Sequence, residues 1–152
     1  MKILEFLDKE TILTDLKATD KKGIIDELSL PVAKVTNIDY REIARVLIER
    51  EMLGSTGIGD GIAIPHGKLA RIEKLFMGFG LSRHGVNFDA MDGQPAYIFF
   101  LLLSPDDSTG LHLMLLARIS RLLKEPKFKK DLKNAKDSRA VMEIISEADN
   151  SV

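Results

Sequence analysis

The chain has 152 residues, 45% of them hydrophobic and 30% charged, the balance of one soluble globular domain with a true core. Its 22 Lys and Arg against 23 Asp and Glu leave a net charge of -1, so no single-signed field gathers nucleic acid or an anionic membrane from a distance. Cysteine is absent, which excludes disulfides, thiolate metal sites, iron–sulfur clusters and cysteine nucleophiles, and is compatible with the reducing cytosol.

Residues 1–10 interleave Lys2, Glu5, Asp8, Lys9 and Glu10 with apolar side chains, so they lack the uninterrupted apolar stretch of a secretory signal. A first helix is expected to start at Thr19 or Asp20 and turn Ile24, Ile25 and Leu28 inward, with Pro31 ending or kinking it. Residues 37–51 form a second helix. Ile38, Ala44, Leu47 and Ile48 recur near helical spacing, Thr36 and Asn37 offer N-caps, and Gly54 follows the end. The glycine-rich stretch 54–61 is turn chemistry, and Ile62-Ala63-Ile64 reads as a short strand stopped by Pro65.

Segments 75–81 and 97–103 are almost wholly apolar and read as strands covered on both faces, which places helices above and below the sheet. The longest apolar run, 96–103, falls far short of the roughly 20 residues that cross a bilayer, so no membrane insertion is expected. Before the Asp92-Gly93 turn, residues 86–88 fit a short antiparallel strand. Leu111, Leu115, Ile119, Leu122 and Leu123 mark a helix over 111–124, expected to be the longest with a buried face, with Ser108 or Thr109 near its start. A short helix around 128–132 and a last one over 138–145, capped by Ser138 and packing Val141, Ile144 and Ile145, complete the chain. The expected fold is a three-layer α/β/α sandwich around a mixed sheet, one domain over 1–147, with 148–152 as a loose polar tail.

His66 carries the strongest chemical signal. It ends a buried strand beside a glycine-rich loop, where a neutral imidazole is a competent nucleophile near pH 7 and Gly67 leaves one approach open. A histidine after a strand also serves as a hydrogen-bonded structural residue, so position alone leaves both roles open. The flanking residues add to it. The segment Glu51-Met-Leu-Gly-Ser-Thr-Gly-Ile-Gly-Asp-Gly-Ile-Ala-Ile-Pro-His66-Gly-Lys68 resembles the phosphorylation-site signature of enzyme IIA in the fructose and mannitol family of the bacterial phosphoenolpyruvate-dependent phosphotransferase system. Its wording looks most like the nitrogen-regulatory branch, and the His-Leu-x-x-Leu pattern from His112 to Leu116 also recurs in that family.

The resemblance implies an enzyme IIA sandwich fold and a cytoplasmic phosphotransferase component. His66 would accept a phosphoryl group from the carrier protein HPr, or its nitrogen-branch counterpart, and form phosphohistidine at Nε2, with no metal or other cofactor. Downstream it implies either regulated target proteins or a IIB partner in sugar uptake, and a binding module of the same fold without phosphoryl transfer is the reading from a different class. Phosphoryl transfer asks for alignment and for stabilisation of charge on the phosphoryl oxygens. Arg50, at the helix end before the glycine loop, suits that task with its planar fork, and the family pattern places an arginine there. Its alternative is an exposed arginine paired with Glu49 or Glu51. His112, in the first turn of its helix, can donate a hydrogen bond to the phosphoryl group or simply fill the helix start. Ser55 and Thr56 offer hydroxyls and Gly57, Gly59 and Gly61 allow backbone approach, or all five only shape the turn.

Other constellations are weaker. Gly57-Ile-Gly59-Asp-Gly61 follows a helix and precedes a strand, the reverse of a dinucleotide fingerprint, and no Gly-Lys-Ser/Thr follows it. A zinc site from His66, His84 and His112 lacks any His-x-x-x-His pair, and His84 lies in a Ser82-Arg83-His84-Gly85 turn signal. Seven basic residues over 124–139 against Glu125, Asp131 and Asp137 describe a solvated helix face.

Overall fold

The computed structural model describes residues 2–151. After a turn of 3-10 helix at Ile3–Glu5 come strand β1 (Leu7–Leu13), helices α1 (Lys21–Thr36) and α2 (Tyr40–Glu51), and the short strands β2 (Gly57–Gly59), β3 (Ile62–Ala63) and β4 (His66–Lys68). The long strands β5 (Phe76–Val86) and β6 (Ala96–Ser104) lead into helices α3 (Thr109–Leu122), α4 (Pro126–Lys133) and α5 (Ser138–Asn150). The sheet runs β1-β5-β6-β3-β2, with β4 also paired to β6. It is mixed: β1 with β5, β3 with β6 and β4 with β6 are parallel, while β5 with β6 and β2 with β3 are antiparallel.

Alternation along β6 builds the three layers. Ile98, Phe100 and Leu102 face a core shared with Leu115 and Ile119 of α3, Phe128 and Leu132 of α4, and Val141 and Ile145 of α5. Phe99, Leu101 and Leu103 face the opposite core, against Ile24, Ile25 and Leu28 of α1 and Ile43 and Leu47 of α2. A strand buried on both faces needs apolar residues at every position, which is why residues 97–103 carry no alternation. The three-layer sandwich with a mixed sheet expected from sequence is what the chain forms.

Several boundaries differ. α1 continues past Pro31 to Thr36 and, at 16 residues, is longer than the 14-residue α3 that was expected to be the longest. Burial of Leu28 and Val32 on either side of the proline outweighs the lost hydrogen bond, and Asn37, at φ 58°, ends the helix instead of starting the next. The 82–85 segment expected as a turn lies within β5, where the register shifts between Leu81 and Val86; Val86 pairs antiparallel with Ala96, and Phe88 is buried core outside the strand. The last helix is capped by Asp137, not Ser138, through a bond from Ala140 N at 2.8 Å.

The segment from 148 is not a loose tail. α5 runs through Asn150, and Asp149 is 1% exposed, accepting hydrogen bonds from Ile3 N at 2.6 Å and from the Arg118 guanidinium. A polar composition hid a buried, paired carboxylate; Val152 lies outside the described residues.

Candidate functional site

β4 places its residues by strand alternation. His66, Gly67 and Lys68 pair in parallel with Leu102, Leu103 and Ser104 of β6, so His66 lies on the Leu102 face, toward the α3 side. Gly67 lies on the other face, against α2, where a Cβ would come within 2.7 Å of Val46 Cγ1. Glycine at this position is therefore a packing requirement against α2, on the face opposite His66, and not the open approach to the imidazole expected from sequence. α3 brings His112 to the same side, and the His66 and His112 rings meet edge to face with centroids 5.2 Å apart.

Both imidazoles have Nδ1 already engaged. His66 Nδ1 lies 2.7 Å from the Ile64 carbonyl, which can only accept; the proton is thus on Nδ1, and Nε2 keeps its lone pair. His112 Nδ1 is hydrogen-bonded to the Ser104 hydroxyl at the end of β6. Burial is the main cause that lowers the pKa of His66 below the ordinary 6.5, with the Arg50 charge adding to it and the Ile64 carbonyl and Glu51 opposing it. His112, 5% exposed, is pushed down to about 4, first by burial and then by His66 and Lys68 beside it. Both rings are neutral at pH 7.

Arg50 lies in the last turn of α2, half-buried, and donates from Nη1 to the Gly54 carbonyl at 2.9 Å. It pairs with neither neighbouring carboxylate. Glu49 is taken by Arg45 at 2.9 Å, and Glu51 is buried, 2.9 Å from Lys21 Nζ. One donor of the guanidinium fixes the loop, and four N–H groups remain.

The glycine loop is tied from within. Thr56 donates both its backbone N–H and its hydroxyl to the Glu51 carboxylate, and Ser55 donates its hydroxyl to the Phe88 carbonyl while accepting from Gly57 N at 2.9 Å. Of the two roles open from sequence, these bonds are those of turn geometry. Gly59, Asp60 and Gly61 have φ of 93°, 58° and 79°, a left-handed run in which glycine is unstrained and Asp is tolerated. Gly57 packs tightly against Ala90, where a Cβ would sit 3.1 Å from its Cα.

Three further contributors are Glu51, which the sequence offered only as a pairing partner for Arg50, and, with no role assigned from sequence, Ser104 and Lys68, whose Nζ is hydrogen-bonded to the Thr109 hydroxyl near His112. For Glu51 a signal existed, because Ile43, Leu47 and Glu51 fall four residues apart on one buried helix face. His84 is exposed in β5. Among the described residues no group of three or more His, Asp or Glu side chains is arranged to hold a metal ion. No helix among them is long and apolar enough to cross a membrane.

Comparison with known proteins bears on the chain as a whole, through its sequence and its fold. A nitrogen regulatory protein of Bradyrhizobium diazoefficiens is 40% identical over 146 residues, covering 96% of this chain and 95% of that protein. The fructose-specific EIIABC component of Bacillus subtilis is 36% identical over 150 residues, which are 98% of this chain but 24% of that longer protein. Among solved structures, nitrogen regulatory protein IIA-Ntr from Neisseria meningitidis matches with a TM-score of 0.88 at 32% identity, covering 93% of this chain and 97% of that one. The mannitol IIA of Escherichia coli shares the fold, with a TM-score of 0.78 at 20% identity over 91% of this chain and 97% of that one. The family described as "Phosphoenolpyruvate-dependent sugar phosphotransferase system, EIIA 2" matches residues 5–148. By sequence over nearly its full length and by fold, the chain belongs to this EIIA family.

Proposed function

We propose that this protein is a cytoplasmic phosphoryl carrier in which His66 Nε2 accepts a phosphoryl group from phospho-HPr or a nitrogen-branch counterpart. The observation that carries the reading is the commitment of His66 Nδ1 to the Ile64 carbonyl, which leaves Nε2 as an unprotonated nucleophile beside Arg50 and His112. In the transfer the Nε2 lone pair forms the new N–P bond while the donor's nitrogen recovers the pair of the old one. No proton need leave His66, since Nδ1–H persists. Arg50 offers unpaired N–H donors to the phosphoryl oxygens, and His112 offers a neutral N–H.

Exposed apolar side chains beside the site support a protein donor. Met52 and Leu53 follow Arg50, and Leu113 and Met114 follow His112, all four well exposed. The output on this reading is regulatory. Roughly two added negative charges at a half-buried imidazole change which partner surface is tolerated. The higher identity to a nitrogen regulatory protein supports regulation over sugar uptake through a IIB partner; the fructose-specific relatives keep uptake as the second reading.

The test is incubation with phosphoenolpyruvate, enzyme I and HPr, followed by intact mass, with His66→Ala and Arg50→Ala in parallel. Wild type gains one acid-labile phosphate, His66→Ala gains none, and Arg50→Ala is phosphorylated about a hundredfold more slowly with unchanged circular dichroism. Equal uptake by His66→Ala and wild type would reject the assignment to His66, and no uptake by wild type from either kind of donor would favour a binding module.

A further inference from the structure

Ser104 is the last residue of β6, 0% exposed, and its side chain shares the Leu102 face with His66 because β4 and β6 pair in register there. Its hydroxyl has the Nδ1 atom of His112 as its hydrogen-bond partner, and its backbone carbonyl accepts from Leu69 N at 2.8 Å. The direction of the side-chain bond follows from what burial tolerates. If Ser104 accepted from His112 Nδ1–H, its own hydroxyl proton would be buried without an acceptor. If Ser104 donates, its hydroxyl proton is satisfied, the groups left over on the serine are oxygen lone pairs, which are cheaper to leave unpaired, and the His112 proton moves to Nε2, which is not a buried, unpartnered atom.

We infer that Ser104 is a positioning residue that fixes His112 as its Nε2–H tautomer, and thereby makes His112 a hydrogen-bond donor toward the phosphoryl group on His66. The inference rests on the phosphoryl-carrier reading for its consequence, though not for its geometry. A neutral imidazole has one N–H. Placed on Nδ1 it would be spent inside the protein, and Nε2 would point a lone pair at an anion. Placed on Nε2 it is free for a phosphoryl oxygen. The two rings are then complementary: the Ile64 carbonyl holds the proton of His66 on Nδ1 and bares the Nε2 lone pair, while the Ser104 hydroxyl caps Nδ1 of His112 and sends its proton to Nε2. One backbone acceptor and one side-chain donor thus give the same residue type opposite roles 5.2 Å apart.

The test is nitrogen-15 NMR of the imidazoles in the full, unphosphorylated chain at neutral pH, with Ser104→Ala and Ser104→Thr. In wild type, His112 is expected to be protonated on Nε2, with Nδ1 unprotonated and hydrogen-bonded. Ser104→Ala is expected to lose the hydrogen-bond shift at Nδ1 and mix the two tautomers. With phospho-HPr as donor, Ser104→Ala slows transfer about tenfold at saturating donor, the rate equivalent of one neutral hydrogen bond, without raising the donor concentration for half-saturation. Ser104→Thr, which keeps the hydroxyl, restores both signals. A wild-type His112 protonated on Nδ1 would overturn the inference, as would Ser104→Ala with Nδ1 shift and transfer rate unchanged. The wild-type spectrum needs neither a variant nor a phosphoryl group. It therefore judges Ser104 even if the carrier reading fails, which would show separately as no uptake by wild type.

Discussion

His66 and His112 are both kept neutral by burial, and this couples the site to the stability of the fold. For His112 the folded pKa of about 4 lies below the ordinary 6.5 of the unfolded chain, so on acidification the unfolded state takes up its proton first. The contribution is fully present above pH 6.5 and is lost progressively as the pH falls toward 4. His66 shifts in the same direction and adds to the loss. Urea unfolding at pH 7 and pH 4.5 should show wild type losing on the order of 2 kcal/mol more than His112→Gln between the two conditions. Equal losses would mean that His112 titrates as it does in the unfolded chain. Motif and residue type single out His66, Arg50 and His112 in the sequence, and the structure brings the two rings together with the Arg50 charge acting on His66. The protonation of the rings was not legible there, because it depends on Ile64 and Ser104, an atom of backbone and a strand-end serine that no spacing rule selects.

At the scale of elements, two helices end in the same way. α2 carries Ile43, Leu47 and Glu51 on its buried face, and α5 carries Val141, Ile145 and Asp149 on its own. A carboxylate in the last turn opposes the helix dipole and, once buried, needs a cation. Lys21 supplies it to Glu51, and Arg118 supplies it to Asp149. A four-residue stripe that ends in an acid is thus a readable sign of a buried ion pair, though its partner comes from elsewhere in the chain. β1 was not legible: Asp8, Lys9 and Glu10 occupy its middle, exposed, as suits a strand at the sheet's edge. The contact between α2 and β4 is a sharper test of what positions His66. Gly67→Ala would push its methyl into Val46, a β-branched side chain with little freedom in a helix, and should cost about 1–3 kcal/mol in urea unfolding while slowing phosphate uptake. Val46→Ala in the same chain should recover much of both. Failure of the second substitution to rescue the first would place the strain elsewhere than this contact.

For the whole molecule, the chain's two ends are locked to one another across the α3 side of the sheet. Asp149 accepts from Ile3 N at 2.6 Å and from Arg118 of α3, while the Asp149 carbonyl receives Lys2 Nζ and Arg118 Nη2, each at 3.2 Å. The carboxylate is 2% exposed and the arginine 18%, so this is a largely desolvated pair with a backbone N–H as its third member. The core beneath it holds Ile3, Leu7, Ile119 and Ile145 together, so residues near both ends of the sequence close the face on which α3 carries His112. Removing one member of such a group leaves the others buried and unpaired, which costs more than the net worth of the pair. Asp149→Ala should therefore lower unfolding free energy by about 3–5 kcal/mol, and deletion of residues 148–152 by at least as much, because Arg118 and Ile3 N lose the same acceptor. Asp149→Asn, which keeps an acceptor without the charge, should fall between wild type and Asp149→Ala. Urea melts of the four proteins decide it: a deletion as stable as wild type would mean that the segment contributes nothing, as its polar composition suggested, and that Arg118 finds water as readily as Asp149.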